Sequence, residues 1–316
     1  MEIFFTFLAG FFLLFFGGEL LVKGSINTAL HFNLSKIVIG VTIVSFATSA
    51  PELFVSIQAL IKESSNIALG NVIGSNIANL ALVLSITAII FRVKTPKEEI
   101  KFNFLILIFS SLLLGFILLY NQQISFYFGY FFIILLSLFL YYSIVKSKKI
   151  NENAKNIIEL DRQNKSLYLS VIFIFLGVIM LKYGADFLVN SAIDLANIFH
   201  VSDKVIAVTI IAIGTSIPEL ATSVIAAIKK EDGLAIGNLI GSNIFNVFGV
   251  LGVSACIKNI SLDNYSILSY DYLIMIFVTI ILGIMIYKSK TQEITRKSGV
   301  ILLLIYVAYI LINLYK

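Results

Sequence analysis

Residues 38–84 read "VIGVTIVSFATSAPELFVSIQALIKESSNIALGNVIGSNIANLALVL", and residues 205–251 read "VIAVTIIAIGTSIPELATSVIAAIKKEDGLAIGNLIGSNIFNVFGVL". The two stretches align without a gap at a shift of 167 residues, and about half of the aligned positions are identical. A match of this length indicates an internal duplication. Each copy places a Pro-Glu pair, ending at Glu52 or Glu219, inside sequence that is otherwise as apolar as a membrane-spanning helix.

The composition of the chain indicates that it lies in a bilayer. Hydrophobic residues make up 59% of it and charged residues only 13%, and the mean hydropathy is +0.99, so a soluble globule would lack polar surface. None of the apolar runs alternates with the period of two that a membrane strand shows. The sequence therefore predicts an all-α integral membrane protein with ten transmembrane helices. The predicted spans are 2–22, 37–61, 67–91, 102–120, 124–145, 167–189, 204–228, 234–257, 267–287 and 298–315.

The position of the two copies predicts two inverted halves. Residues 1–145 and 167–316 each contain five predicted spans, and the polar segment 146–166 joins them. Because five is odd, the two repeats, 38–84 and 205–251, enter the membrane from opposite sides. This is the inverted-repeat arrangement of secondary transporters, whose substrates bind near the midplane between the repeats.

Lysine and arginine residues predict the orientation. When the joints are assigned to alternate sides, all but five of the 23 fall on one side, which the positive-inside rule makes cytoplasmic. Both termini then face outward, and the linker lies in the cytoplasm. The basic residues are spread over the joints, so the net charge of +5 does not indicate a nucleic-acid partner. The five on the outer side are Lys62, Lys182, Lys204, Lys258 and Lys316.

The repeated motif carries polar groups at helical spacing. Residues i, i+3, i+4 and i+7 predict one helix face in each copy. These residues are Ser45, Thr48, Ser49 and Glu52 in the first copy and Ala212, Thr215, Ser216 and Glu219 in the second. A proline beside each glutamate cannot donate a backbone hydrogen bond, so we expect broken helices with free carbonyls, which membranes tolerate inside protein or beside a watery cavity.

The partner segments "GNVIGSNIAN" and "GNLIGSNIFN" carry a second polar stripe. Its members are Asn71, Ser75 and Asn79, and Asn238, Ser242 and Asn246. Small residues four apart let helix backbones approach closely. Gly70 and Gly74, and likewise Gly237 and Gly241, are therefore expected to bring this stripe towards the helix that carries the glutamate.

The donor set predicts a cation site. Calcium takes six to eight hard oxygen ligands, and two carboxylates with hydroxyls, amides and free carbonyls supply that number. Sodium also fits an all-oxygen site, whereas the lack of soft ligands argues against zinc or copper. No cofactor is expected. An intramembrane carboxylate is by default functional.

These motifs resemble the repeats of the calcium/cation antiporter superfamily, the sodium/calcium exchangers. "ATSAPELFVS", "GTSIPELATS" and the two GNxIGSNI segments carry the resemblance, which covers both halves. It implies ten helices in two inverted halves and exchange of sodium for calcium by alternating access. It implies calcium ligands at Glu52, Glu219, Thr48 and Thr215. It implies sodium ligands at Ser49, Ser216, Ser75 and Ser242 and at the backbone of Ser45 and Ala212, with amides at Asn79 and Asn246.

Two features qualify the resemblance. Many members have an aspartate at one of the positions held by Asn79 and Asn246, so the sequence leaves potassium dependence and stoichiometry open. The linker lacks a large regulatory domain, which is typical of a prokaryotic member in the plasma membrane. Proton/calcium antiport, a cation channel and an intramembrane enzyme remain alternatives, the last two remote. The oligomeric state is open, and a monomer is allowed.

Overall fold

The computed structural model describes residues 2–152, 166–199, 212–262 and 270–315. Most of the predicted linker, the first part of the predicted span 204–228 and the start of the predicted span 267–287 lie outside these residues. Twelve helices are described, numbered here in chain order. They are α1 Glu2–Phe32, α2 Lys36–Thr48, α3 Ala50–Ile61, α4 Ser65–Ile90, α5 Lys97–Asn121, α6 Phe126–Glu152, α7 Leu167–Ile198, α8 Ala212–Gly214, α9 Ile217–Ile228, α10 Asp232–Ile257, α11 Tyr272–Lys288 and α12 Arg296–Tyr315.

The helices confirm an all-α membrane fold. In the described part of the chain, seven helices are long and apolar enough to cross a membrane, or eight if the bent pair α2 and α3 forms one span. Several helices extend beyond the predicted apolar runs: α1 continues to Phe32 and α7 to Ile198. The backbone hydrogen bonds of a helix continue through the polar interface, whereas hydropathy marks only the part in hydrocarbon.

Each copy contains a break in its helical backbone. α2 and α3 meet at Ser49 with a bend of 41°, and α8 and α9 are separated by Thr215 and Ser216. The wider π-helical turn also occurs at Gly40–Val44, Asn79–Val83 and Phe245–Leu251. Such π segments often occur at functional sites.

Helices α4 and α10 form the centre of the bundle. In each, 78% of the most apolar window is buried, against 33% for α1 and 22% for α7. Helices α5, α6, α11 and α12 pack around this centre in one continuous apolar cluster. A second cluster joins α1 and α7 to α2 and α9, so the two peripheral helices contact the centre through a separate layer.

Helices α1 and α7 pack closely against each other along small residues. A Cβ atom at Gly17 would lie 2.9 Å from the Leu181 nitrogen, and one at Gly177 would lie 2.7 Å from the Leu21 nitrogen. Gly10 faces Gly184 in the same way. At the shift of 167, Gly177 is the counterpart of Gly10 and Gly184 is the counterpart of Gly17. Each of these two glycines of α1 therefore faces the counterpart of the other.

Two short antiparallel ribbons connect the ends of the bundle, a feature that the sequence did not predict. β1 Val93–Lys94 pairs with β4 Glu293–Ile294, and β2 Gln123–Ile124 pairs with β3 Ile260–Ser261. With only two residues each, these strands are too short to show an alternating pattern. Each ribbon pairs a segment between two helices of the first half with a segment between two helices of the second half.

Candidate functional site

The broken helices place each glutamate at the start of a helix. Ser49 has φ −83° and ψ 1°, and Ser216 has φ −89° and ψ 2°, outside helical geometry. Pro51 and Pro218 then occupy the first turn of α3 and α9, where a missing N–H has no cost. Glu52 and Glu219 follow in the same turn. The free N–H groups and positive dipole end of each helix favour negative charge there.

This break corrects the prediction of one continuous helix face. Ser45 and Thr48 belong to α2, whereas Glu52 belongs to α3, which is bent by 41° from it. The cause is the proline, which cannot donate to the Ala47 carbonyl and whose ring crowds that carbonyl. The residues still lie in one region, but on two helix ends rather than along one helix.

Both carboxylates are fully buried. Glu52 and Glu219 are each 0% exposed, and in the described structure the hydroxyl groups beside their four side-chain oxygens fall outside hydrogen-bond geometry. The two carboxylates are also close enough to repel each other. Buried charge without a partner is strongly unfavourable, so the pair needs either a bound cation or protons.

A pair of hydroxyl groups lies beside each carboxylate. Ser75 and Thr215 flank Glu52, and Thr48 and Ser242 flank Glu219. Each pair crosses between the copies, with oxygen–oxygen distances of 3.2 Å for Ser75 to Thr215 and 3.2 Å for Thr48 to Ser242. A shift of 167 residues converts one pair into the other, so the two copies contribute equally.

An amide network fixes the orientation of Asn79 and Asn246. Asn76 Nδ2 donates to the Asn243 carbonyl at 3.3 Å, and Asn243 Nδ2 donates to the Asn76 carbonyl at 3.2 Å. Because a carbonyl can only accept, the Oδ1 atoms of Asn76 and Asn243 must face away and accept from elsewhere. Asn246 Nδ2 donates to Asn76 Oδ1 at 3.0 Å, and Asn79 Nδ2 donates to Asn243 Oδ1 at 3.1 Å.

The network leaves two amide oxygens free for a ligand. With their Nδ2 atoms engaged, Asn79 and Asn246 turn their Oδ1 atoms the other way, and both atoms are buried without a partner in the described structure. The hydroxyl oxygens of Ser49 and Ser216 are also buried without a hydrogen-bond partner among the described residues. Together with the carboxylates, eight orphaned oxygens come from matched positions in the two copies. Buried polar atoms in this state call for a ligand.

Ser45 has a structural side chain. Its Oγ lies 2.7 Å from the Gly40 carbonyl and 2.9 Å from the Asn238 carbonyl, so the hydroxyl ties α2 to α10. The Ser45 carbonyl accepts the Ser49 N–H at 2.9 Å, and the Thr48 hydroxyl lies 3.5 Å from it. The matched Ala212 begins α8, and its side chain lies outside the described part of the chain.

The glycine prediction holds in a modified form. Gly237 and Gly241 of the second copy pack against α2 of the first, where a Cβ at Gly241 would overlap Ser45 Oγ and the Val41 backbone. The glycines therefore bring α10 to the other copy's glutamate-bearing segment, not to its own. Nothing in the described structure lies within 4 Å of a Cβ at Gly70 or Gly74. The segment that matches α2, 204–211, lies outside the described residues.

Sequence reasoning missed Asn76 and Asn243, and it missed how the polar stripe braces the glutamate helices. Asn71 Nδ2 lies 3.0 Å from the Glu52 carbonyl and 3.0 Å from Ser56 Oγ. Asn238 Nδ2 lies 3.5 Å from Ser223 Oγ. Identity between the copies was the available signal, since both asparagines of the GSN triplets recur at the same place.

Comparisons with known proteins agree with this arrangement. The profile of the family described as sodium/calcium exchanger protein matches residues 2–145 and 169–315. The putative antiporter CaxA of Alkalimonas amylolytica is 35% identical over 96% of this chain and 95% of its own. The sodium/calcium exchanger MaX1 of Methanosarcina acetivorans is 31% identical, with 95% of each chain covered.

A solved structure shows the same fold. The sodium-calcium exchanger NCX_Mj, soaked with Na⁺ and Ca²⁺, superimposes with a TM-score of 0.82 at 30% identity and covers 98% of both chains. The family profile, the relatives and the fold therefore agree over nearly the whole length. The chain belongs to the sodium/calcium exchanger family.

Proposed function

We propose that this protein is a secondary active antiporter that exchanges sodium for calcium across a prokaryotic plasma membrane by alternating access. The proposal rests on eight orphaned buried oxygens, which belong to Glu52, Glu219, Ser49, Ser216, Asn79 and Asn246. They match the number and type of ligands that calcium prefers. As a family of transporters, the exchangers need no cofactor, and the chain is not an enzyme.

The proposed ligands combine charged and neutral oxygens. Glu52 and Glu219 supply the charge. The hydroxyl or carbonyl oxygens of their flanking residues and the amide oxygens complete the shell, namely Thr48, Thr215, Ser49, Ser216, Ser75, Ser242, Asn79, Asn246 and the backbone of Ser45 and Ala212. One calcium ion or a set of sodium ions neutralises the two carboxylates. Because both occupants use the same carboxylates, they compete.

Exchange follows from the cost of an unoccupied site. Two carboxylates without a counter-charge are expensive to enclose in a closed barrier, so the protein changes access only when an ion load neutralises them. We propose that α1 and α7 form the moving layer, since they contact the centre through their own apolar cluster. A ligand drives such a change through its different affinity for the two states.

The proposed topology has ten helices in two inverted halves, residues 1–145 and 167–316, each with one ion-binding repeat, 38–84 or 205–251. The segment 146–166 is a cytoplasmic linker, and both termini face outward. The exchanged contacts between the copies support a two-fold relation, because the Thr–Ser hydroxyl contact and the Asn–Asn amide bond each occur twice, related by the shift of 167. The distribution of lysine and arginine supports the orientation.

Calcium uptake by proteoliposomes tests the function. Vesicles with purified protein are loaded with sodium, with potassium or with an acidic buffer, and radiolabelled calcium is added outside. We expect uptake that requires the sodium gradient and is abolished by Glu52→Gln and by Glu219→Gln. Glu63→Gln, which changes an exposed carboxylate paired with Lys258, serves as the matched control. Uptake driven by the acidic load instead would assign proton coupling, and uptake that needs potassium with sodium would assign a potassium-dependent exchanger.

A further inference from the structure

A cavity adjoins the proposed ion site on one side. Its volume is about 540 Å³, and its walls come from α3, α7 and the break between α8 and α9. Thr215 lies in the wall, and its hydroxyl meets that of Ser75 at 3.2 Å. The cavity therefore reaches the shell of oxygens that we assign to the ions. In the proposed orientation, its walls come from the outer halves of these helices.

The wall is largely apolar, but α7 contributes a polar row. Lys182, Asp186 and Asn190 all line the cavity. Their spacing of four residues places them on one face of the helix. Lys182 is near the middle of α7, and Asp186 lies four residues, about 6 Å, nearer the Ile198 end. Charges in a membrane helix are expensive unless they face water or a partner, and they are usually functional.

Within the described ranges, no ion pair neutralises either charge. The ion pairs found among the described residues involve neither Lys182 nor Asp186. The Lys182 ammonium lies 4.9 Å from the centre of the Tyr183 ring, a contact that leaves its charge intact. Both charges therefore act on any cation in the cavity. Apolar walls screen such a field less than water does.

We propose that Lys182 and Asp186 set the electrostatic potential at the ion site and thereby adjust its preference between calcium and sodium. This inference rests on the proposed function. The energy of an ion in a potential is proportional to its charge, so a given potential shifts calcium binding twice as much as the binding of each sodium ion. Expressed as half-saturating concentrations, the factor by which the calcium value changes is therefore the square of the factor for sodium.

The two residues act in opposite directions. Lys182, at the depth of the helix centre, disfavours both cations and calcium more strongly. Asp186, one turn towards the mouth, favours both cations and calcium more strongly. The two residues therefore adjust calcium affinity in opposite directions around the value that the oxygen shell alone would give.

Equilibrium binding to purified protein tests the inference. Radiolabelled calcium titrations, and their displacement by sodium, give both half-saturating concentrations. For Lys182→Gln, we expect the sodium value to fall by about two- to threefold and the calcium value by about four- to ninefold. Asp186→Asn should raise both with the same square relation. The double variant should lie closer to the wild type than either single variant does.

The control is Lys62→Gln, which removes the same charge from an exposed position outside the cavity. The inference is overturned if Lys182→Gln leaves both values unchanged or changes them by equal factors, or if Lys62→Gln reproduces its effect. Equal factors would indicate a change of shape rather than of potential. Failure of the proposed function is distinguishable, because wild-type protein would then show no competition between sodium and calcium.

Discussion

Asn76→Ala removes one half of the amide network while leaving every proposed ligand in place. The substitution deletes the bond from Asn76 Nδ2 to the Asn243 carbonyl, 3.3 Å, and the acceptor of Asn246 Nδ2, 3.0 Å away. A lost hydrogen bond costs about 1 kcal/mol, and a buried donor left unpaired costs about 1–3 kcal/mol. We expect the free energy of unfolding to fall by about 2–4 kcal/mol.

The effect on calcium affinity is separate from the effect on stability. Without its acceptor, the Asn246 amide is free to turn. If both orientations become equally populated, half of the molecules present Oδ1, and affinity falls about twofold; complete loss of this ligand, at about 1.4 kcal/mol, would reduce it about tenfold. We therefore expect the Kd for calcium to rise by about two- to tenfold. Asn243→Ala should act equally, through Asn79.

Calorimetric titration with calcium and thermal unfolding in detergent measure the two effects. The matched control is Asn103→Ala, which truncates another buried asparagine outside the network. If Asn76→Ala destabilises the protein but binds calcium like the wild type, Asn246 is not a ligand held by Asn76. If Asn103→Ala weakens calcium binding equally, the loss is a general consequence of destabilisation.

Three further predictions follow from burial and packing. Glu52→Gln or Glu219→Gln should raise the Tm of ion-free protein, because either substitution removes a buried unpaired charge. Calcium at a hundred times the wild-type Kd stabilises the wild type by about 2.7 kcal/mol, and this gain should be lost in both variants. An unchanged calcium-induced shift in Tm would refute this. Gly17→Val should separate α1 from α7, cost about 1–3 kcal/mol and slow exchange while equilibrium calcium binding stays within about twofold, so a normal flux would contradict the proposed role of the helix pair. Gly241→Ala should be at least as destabilising in thermal unfolding, since its Cβ would overlap Ser45; wild-type stability would contradict that packing.

The sequence predicted the parts of this protein that depend on composition and repetition. Hydropathy located the seven or eight described helices that are long enough to cross a membrane, because their apolar runs are long. The duplication located both glutamates, and the prolines beside them predicted the helix breaks seen at Ser49 and Ser216. These features are local, so a reader of the chain finds them without knowing how the helices pack.

Features that depend on contacts between distant residues could not be predicted. Asn76 and Asn243 are 167 residues apart, and only packing shows that each donates to the other's carbonyl. The β ribbons arise in the same way, from joints of opposite halves. The cavity charges at Lys182 and Asp186 gave no signal either, because helical spacing does not indicate what a face contacts.

The two halves of the site are chemically matched but differently placed. Thr48 is 1% exposed, whereas its counterpart Thr215 lines the cavity of about 540 Å³. Since the proposed ligands recur in both copies, they give a bound ion no preferred side, and the direction of access must come from the surroundings of the site. Exchanging the surroundings of Thr48 and Thr215 would open the site on the opposite side without altering one ligand. Under the proposed alternating access, the free-energy difference between the two states thus lies in the packing of α1 and α7 against the centre, and substitutions there should change the rate of exchange more than the affinity for either ion.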